Sequence, residues 1–467
     1  MKVYSFLRGG IDLSDNSAPL PEKSSLSFLP PIAVLPMIQH NGVHSYPVVS
    51  VGDHVEEGGL IARSQGAGSA NIHAPIPGKV VQLVNWKLPE KMTNDAVVIK
   101  LEGRFSLLGK EARGHEWKDL SPFEIQALMA EYGVVEMEGR GAPLTEIFSE
   151  FTGVNGVATL VVRCVFDDPW LAADYCLCRE KTEAVAEGAL IAAKAACADQ
   201  ICISVSSNEK NIAFDLLDVL KKSGETEAFV IQVSNLYPQH GKMELSFALR
   251  QAEKKENRRL GSLLFLGPAS LEAVYTAVKY RRPVLSRYVA IGGSAIKEPR
   301  VVNVRLGTRI ADVFKECGGC ASPKRVAYGS PMMGRAVFSL DEPIIKTTYA
   351  VFAAANETFS AGNMLWNSRR VLDLRSEERT PGKIRKKNKL SRRYLSANHC
   401  INCGECREVC PVGLDPEDIY KNINGKKHGL SVSSLVMQCH GCGCCEAVCP
   451  SNLPLCTTII NPAFKGD

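Results

Sequence analysis

The chain has 467 residues, of which 45% are hydrophobic and 22% charged, and carries a formal net charge of +5. That is the composition of ordinary soluble globular domains, and the length allows three or four of them. It excludes a membrane-spanning chain, because apolar runs such as "VLPMI" and "SLLFLG" fall far short of the roughly 20 residues that cross a bilayer. The opening stretch "MKVYSFLRGGIDLSD" has no apolar core followed by a small-residue cleavage site, so no secretory leader is expected and the cytoplasm is the expected compartment. Seventeen cysteines, an odd number in such a chain, favour metal ligation over a disulfide framework.

Residues 1–108 read as all-β. Short valine-rich strands alternate with Gly-Asp, Gly-Gly and Pro-Gly turns in "YPVVSVGDHVEEGGLIARSQGAGSANIHAPIPGKVVQLV". This looks like the barrel-sandwich hybrid of biotinyl and lipoyl carrier domains. The hairpin that would present a modifiable lysine is "RSQGAGSAN", which has none, so a structural barrel is expected.

Residues 109–282 change character to α/β. "SPFEIQALMAEYG" begins with a serine cap and has helical spacing of apolar residues. "TLVVRCV", "QICISV", "AFVIQV" and "SLLFLG" have strand length, with helices such as "NEKNIAFDLLDVLKKSG" and "SLEAVYTAVKYRR" between or after them. Such alternation predicts a mainly parallel sheet.

Residues 283–355 supply a strand, a Gly-Gly turn, an alternating strand (Val302, Val304, Leu306) and a helix from Ile310. The pattern resembles a soluble-ligand-binding β-grasp unit. Cys317 and Cys320 form an isolated CxxC, read as structural rather than as a redox pair. Residues 356–397 read as a basic linker, with Lys383, Arg385, Lys386, Lys387, Lys389, Arg392 and Arg393 and no acid in 380–399. Two readings stand for it: a solvated linker, or attraction to an anionic membrane surface or an acidic partner. Nucleic acid is not expected, because no aromatic or motif signal accompanies the charge.

Residues 398–467 hold the strongest signal. The spacing is Cys400-x2-Cys403-x2-Cys406-x3-Cys410-Pro411, repeated as Cys439-x2-Cys442-x2-Cys445-x3-Cys449-Pro450. Three thiolates at x2 spacing wrap one cubane, and the cysteine before proline serves the other cluster in two-cluster ferredoxins. The expected ligand sets are therefore crosswise. Cys400, Cys403, Cys406 and Cys449 hold one [4Fe–4S] cluster; Cys439, Cys442, Cys445 and Cys410 hold the second. Zinc would leave four thiols and both prolines unexplained. Cys444 falls outside the register and is read as a non-ligand. His399 and His440 are read as exposed neighbours or as hydrogen-bonding to sulfur. Asp415 with Pro416 starts a helix in the connecting segment, so a helical ferredoxin module is expected.

With these units in this order, the chain resembles the RnfC family, the C subunits of the Rnf electron-transport complex, over nearly its full length. "RPVLSRYVAIGGSAIKEP" and "YGSPMMGRAVFSLDEPIIK" carry the resemblance most specifically. It implies a peripheral subunit at the cytoplasmic face of the inner (plasma) membrane, exchanging electrons between NADH and the other membrane and iron–sulfur subunits of an ion-translocating complex. It also implies a Rossmann-like α/β domain similar to the FMN- and NADH-binding subunit of respiratory complex I. The family's glycine-rich loop corresponds to "GVVEMEGRGAPLTEI". There Gly133, Gly139 and Pro143 match, Glu136 and Glu138 replace glycines, Ala142 replaces an aromatic residue and Ile147 replaces a lysine. In "RCVFDDPW", Asp168, Pro169 and Trp170 match, while Arg163 and Phe166 replace polar residues. The resemblance thus names Gly133, Gly139, Pro143, Asp168 and Pro169 as the remnant of an FMN and NADH site that is expected to be altered or lost. A soluble electron carrier would then replace NADH as donor or acceptor. A stand-alone reductase resembling the cobalamin reductases, and a scaffold with purely structural clusters, remain as alternatives.

Overall fold

A computed structural model describes residues 2–39, 43–87, 93–139, 141–152, 156–224, 226–323, 325–355, 399–425 and 430–460. The basic stretch 356–397 lies outside the described residues. Among the described residues the strands form four sheets.

Two of them build the barrel. One runs Ile32–Pro36, Thr93–Leu101, Gly78–Lys87, His54–Val55; the other runs Tyr46–Pro47, Leu60–Arg63, Ile72–His73. All their pairings are antiparallel. Period-two alternation sends Val97 and Ile99 inward to meet Leu35, Ile61, Ile72 and Val80. Gly78 has no substitute, since a Cβ there would lie 2.0 Å from the Lys100 carbonyl oxygen.

The α/β unit carries a five-stranded parallel sheet: Val3–Tyr4, Glu227–Val233, Gln200–Ser206, Ala158–Cys164, Ser262–Leu266. Every residue of Gln200–Ser206 is buried, as expected of a central parallel strand covered on both faces. Leu160, Val162, Ile201 and Ile203 face the helices Thr182–Ala195 and Pro268–Tyr280. Their neighbours Val161, Cys202, Ile231 and Val233 face Leu245, Ala248 and Leu249 of the Lys242–Glu256 helix. Gly188, inside its helix, lets the Leu271 carbonyl approach to where a Cβ would sit 2.1 Å away. That contact offsets the usual cost of about 1 kcal/mol for a helical glycine.

The third unit is a six-stranded mixed sheet, Arg335–Ala336, Arg325–Tyr328, Ala350–Ala354, Ser286–Gly292, Arg300–Arg305, Ser25–Leu26. The helix Ile310–Glu316 packs Ile310, Val313 and Phe314 onto it. Cys317 and Cys320 end this helix region, and burial pushes both thiols up to about 12. Thiols so reluctant to ionise are poor nucleophiles, in keeping with a structural role.

The first 31 residues also contribute strands to the other two sheets. Val3–Tyr4 pairs with Glu227–Val233 in the α/β sheet, and Ser25–Leu26 pairs with Arg300–Arg305 in the third sheet. Two-residue strands carry no alternation of their own, so their partners are fixed by tertiary packing. The first barrel strand is Ile32–Pro36.

The regular structure of the cysteine module, among its described residues, is helical, with short helices Glu405–Glu408, Pro416–Asn424, Leu430–Met437, Cys444–Ala447 and Leu455–Ile459. Asp415 caps the second by accepting from Asp418 N–H. No helix among the described residues is long and apolar enough to cross a membrane.

Candidate functional site: two cysteine-lined cavities and a glycine loop

The two cysteine runs fold almost identically. In each, a glycine at positive φ (Gly404 at 80°, Gly443 at 84°) starts a four-residue helix, Glu405–Glu408 or Cys444–Ala447. Positive φ favours glycine because it has no Cβ. The third cysteine of each run, Cys406 or Cys445, sits in that helix, and the fourth, Cys410 or Cys449, follows its end.

The thiols then line two cavities. Cys400, Cys403, Cys406 and Cys449 line one, with Ile401, Glu417, Pro450 and Leu453. Cys410, Cys439, Cys442 and Cys445 line the other, with Pro411, Leu414 and Ile459. Each cavity brings together the first three motif cysteines of one run with the Cys-Pro cysteine of the other. The thiols ring a volume instead of converging on a point: among the described residues no group of three or more His, Cys, Asp or Glu is arranged to hold a single metal ion. Four thiolates around an apolar chamber suit a cubane.

Sequence reading missed part of the second cavity. Cys444 is fully buried and lines it, as does Cys456 from the Leu455–Ile459 helix. Only the position of Cys456 six residues beyond the last Cys-Pro could have drawn attention to it. His440 also departs from expectation. Its Nδ1 lies 2.6 Å from Glu244 Oε1, and the hydrogen bond with that carboxylate raises its pKa against the opposing effect of burial.

The module is fastened to the rest of the chain on the side of the second cavity. Tyr237, wholly buried, donates its hydroxyl to the Cys442 carbonyl at 2.7 Å. Gly10 N–H donates to the Val409 carbonyl at 3.0 Å. Gly9 lies so near Val409 that a Cβ would meet its carbonyl at 2.6 Å. On the other side, Ile401 and Cys403 are exposed.

The glycine loop lies in the α/β unit. Gly133, at φ +63°, admits the Asn71 carbonyl of the barrel, and a Cβ there would sit 2.1 Å from that oxygen. Lys346, fully buried, donates to both the Asn71 carbonyl (3.0 Å) and the Gly133 carbonyl (2.7 Å). Burial lowers its pKa to about 8. Val135 bridges Pro143, and Glu136 N–H donates to the Ala142 carbonyl at 2.8 Å, which closes the loop on itself.

The two glutamates do not face solvent as free charges. Glu138 reaches the N-terminus of the Pro268–Tyr280 helix, whose own N-cap, Gly267, offers no side chain. Its Oε1 accepts from Ser270 N–H at 2.8 Å, and its Oε2 accepts from the Ser270 hydroxyl. The Ser270 hydroxyl oxygen in turn accepts from Met137 N–H at 2.9 Å. Glu136, buried, pairs with Lys242 Nζ at 2.5 Å. Each carboxylate lies on a bare glycine: a Cβ on Gly139 would meet that of Glu136, and one on Gly267 that of Glu138.

The second group of expected residues is engaged in local contacts. Asp168 is buried and caps the turn Pro169–Leu171 by accepting from Trp170 N–H at 3.0 Å, while the Trp170 indole donates to Asp15 at 3.0 Å. Nearby, Asp174 is buried, and no described residue donates to its Oδ1. Burial raises it from 3.8 to about 6, with Arg287 opposing, Glu138 adding and Arg163 opposing. A carboxyl raised in the folded state favours folding when protonated. That contribution is complete below about pH 4 and lost as pH climbs through 6. Asp174→Asn is therefore expected to flatten the stability–pH curve between pH 4 and 7 by on the order of 3 kcal/mol. Urea unfolding followed by tryptophan emission measures it; an unchanged slope would contradict the assignment.

Comparison with known proteins accounts for all four units. Family models match an RnfC barrel sandwich hybrid domain at residues 6–104 and a Nuo51 FMN-binding domain at 129–262. An SLBB domain matches at 288–336 and a 4Fe-4S dicluster domain at 396–453. The C subunit of a proton-translocating ferredoxin:NAD(+) oxidoreductase complex from Clostridium ljungdahlii is 28% identical, over 88% of this chain and 82% of its own. The C subunit of the ion-translocating oxidoreductase complex of Rhodobacter capsulatus is also 28% identical, over 85% of this chain and 70% of its own.

Over most of its length the chain is similar to the C subunits of ion-translocating oxidoreductase complexes.

The corresponding ion-translocating oxidoreductase protein from Salmonella choleraesuis is 27% identical over 91% of this chain, which spans 56% of that relative's length. Among solved structures, a chain of an NAD+-reducing [NiFe]-hydrogenase aligns with 70% of this chain and 60% of its own, at 12% identity and a TM-score of 0.45, a likeness too slight to build on. Two [4Fe–4S] clusters fit the cysteine-lined cavities. A flavin phosphate does not fit the glycine loop, because the donors it would need there already serve Glu136 and Glu138.

Proposed function

We propose that the chain is the peripheral iron–sulfur subunit of a membrane-bound, ion-translocating oxidoreductase of the Rnf type. The observation that carries this reading is the arrangement of eight cysteines into two mixed sets, each lining its own chamber, in a chain whose relatives are named as the C subunits of such complexes. Cys400, Cys403, Cys406 and Cys449 hold one cubane; Cys439, Cys442, Cys445 and Cys410 hold the other. Bound there, the clusters supply reversible one-electron chemistry.

The protein's own part is positional. Tyr237 and the Gly9–Gly10 segment brace the second chamber against the body, and Cys406, Cys410, Cys445 and Cys449 are buried. The Ile401–Cys403 edge leaves the first chamber near the surface, where an electron carrier can approach. The partners are the other subunits of the complex together with a soluble electron carrier. The place of work is the cytoplasmic face of the membrane, a reading supported by the family resemblance.

Anaerobic purification or reconstitution followed by iron analysis and a redox titration tests the reading. About eight irons per chain and reversible bleaching are expected. Zinc, or iron that never changes oxidation state, would overturn it.

A further inference from the structure

A phosphate group binds a loop or helix terminus by taking hydrogen bonds from backbone N–H groups and hydroxyls and by meeting positive charge. At the glycine loop those resources are already engaged. Ser270 N–H, the third of the Pro268–Tyr280 helix, and the Ser270 hydroxyl both go to Glu138. Met137 N–H goes to Ser270, and Glu136 N–H goes to the Ala142 carbonyl. Lys242, at the first position of its helix, goes to Glu136. Glycines elsewhere let a ligand come near the backbone; here Gly139 and Gly267 let the chain's own carboxylates do so. On the barrel side of the same loop, a cleft of about 410 Å3 is lined by Glu131 and Glu146, with no basic side chain among its described lining residues. Any phosphate arriving from either side meets fixed negative charge.

We infer that this flavin-type domain carries its own built-in anions, Glu138 on Ser270 and Glu136 on Lys242, and is thereby closed to phosphorylated nucleotides and flavins. A corollary, resting on the electron-transfer reading above, is that the chain exchanges electrons with a protein carrier and not with a nicotinamide nucleotide.

The test uses the full chain with reconstituted clusters. FMN is titrated by fluorescence and equilibrium dialysis to about 100-fold above the micromolar range in which enzymes commonly hold their substrates; no saturable binding is expected. NADH is expected to leave the cluster absorbance unchanged while dithionite bleaches the same sample, so that an inert cluster is told apart from a closed nucleotide site. Stoichiometric flavin, or bleaching by NADH, would overturn the inference.

A second arm reads the anion directly. Glu138→Ala is expected to lower Tm by about 2–4 °C, the effect of losing a helix cap in a domain of this size. Inorganic phosphate is expected to restore at least half of that fall, measured against chloride at equal ionic strength, and to leave the wild type unmoved. Equal stabilisation of both proteins, or no rescue of the variant, would sink the role given to Glu138. If the variant does not fold, the flavin and NADH measurements on the wild type still decide the matter.

Discussion

Replacing Cys410 by alanine is expected to remove the cluster of the second motif, although Cys410 belongs to the first. Iron should fall from about eight to about four per chain. Paired variants show which cluster is gone. Under crosswise ligation, Cys410→Ala combined with Cys442→Ala removes two ligands of one cluster and leaves about four irons, whereas Cys410→Ala with Cys403→Ala strikes both clusters and leaves few. If each run closed its own cubane, the two results would exchange places. The crosswise outcome follows from the chamber walls: Cys410 stands with Cys439, Cys442 and Cys445, and Cys449 stands with Cys400, Cys403 and Cys406.

Arg305→Ala is expected to destabilise the chain by about 3–5 kcal/mol, the usual result of leaving one member of a buried ion pair behind. Glu57, in the barrel, has a fully buried side chain and pairs with Arg305 Nη2 at 2.8 Å. It also accepts from Leu107 N–H at 2.7 Å and Leu108 N–H at 3.0 Å. Arg305 Nη1 donates to the Pro75 carbonyl at 3.1 Å. Removing the guanidinium strands a carboxylate and a carbonyl at the joint between the barrel and the third sheet. Replacing both residues by methionine should recover most of the loss, since apolar substitutes of similar size often match a buried pair. Thermal unfolding measures both variants. A single variant within 1 kcal/mol of the wild type would show that Glu57 finds water or another partner.

Much of this architecture was legible because it is written locally. The Ser121–Glu124 capping box, the Asp415–Pro416 helix start and the buried runs of the parallel sheet each reveal themselves within a few residues. The cysteine spacing was legible for the same reason. What escaped depends on distant partners. Nothing near Glu138 announces that Ser270, 132 residues later, will receive it. Read from the sequence, Glu136 and Glu138 were two charges set to repel a phosphate; folded, one is a helix cap and the other half of an ion pair. Cys456 stood alone in the sequence and joined the second chamber only through the packing of its helix. The two-residue strands Val3–Tyr4 and Ser25–Leu26 carry no alternation of their own, so the sheets they join could not be read from the sequence.

That opening segment has a consequence for how the molecule is made. Gly10 waits for Val409, Tyr4 for Val233 and Ser25 for Val302. On a ribosome adding 5–20 residues per second, roughly 20–80 s separate the synthesis of Gly10 from that of its partner. During that interval Tyr4 and Ser25 can find their partners, while the Gly10 contact with the cysteine module cannot form. Docking of the Gly9–Gly10 segment onto the cysteine module therefore comes late, after the partners of Tyr4 and Ser25 have been made.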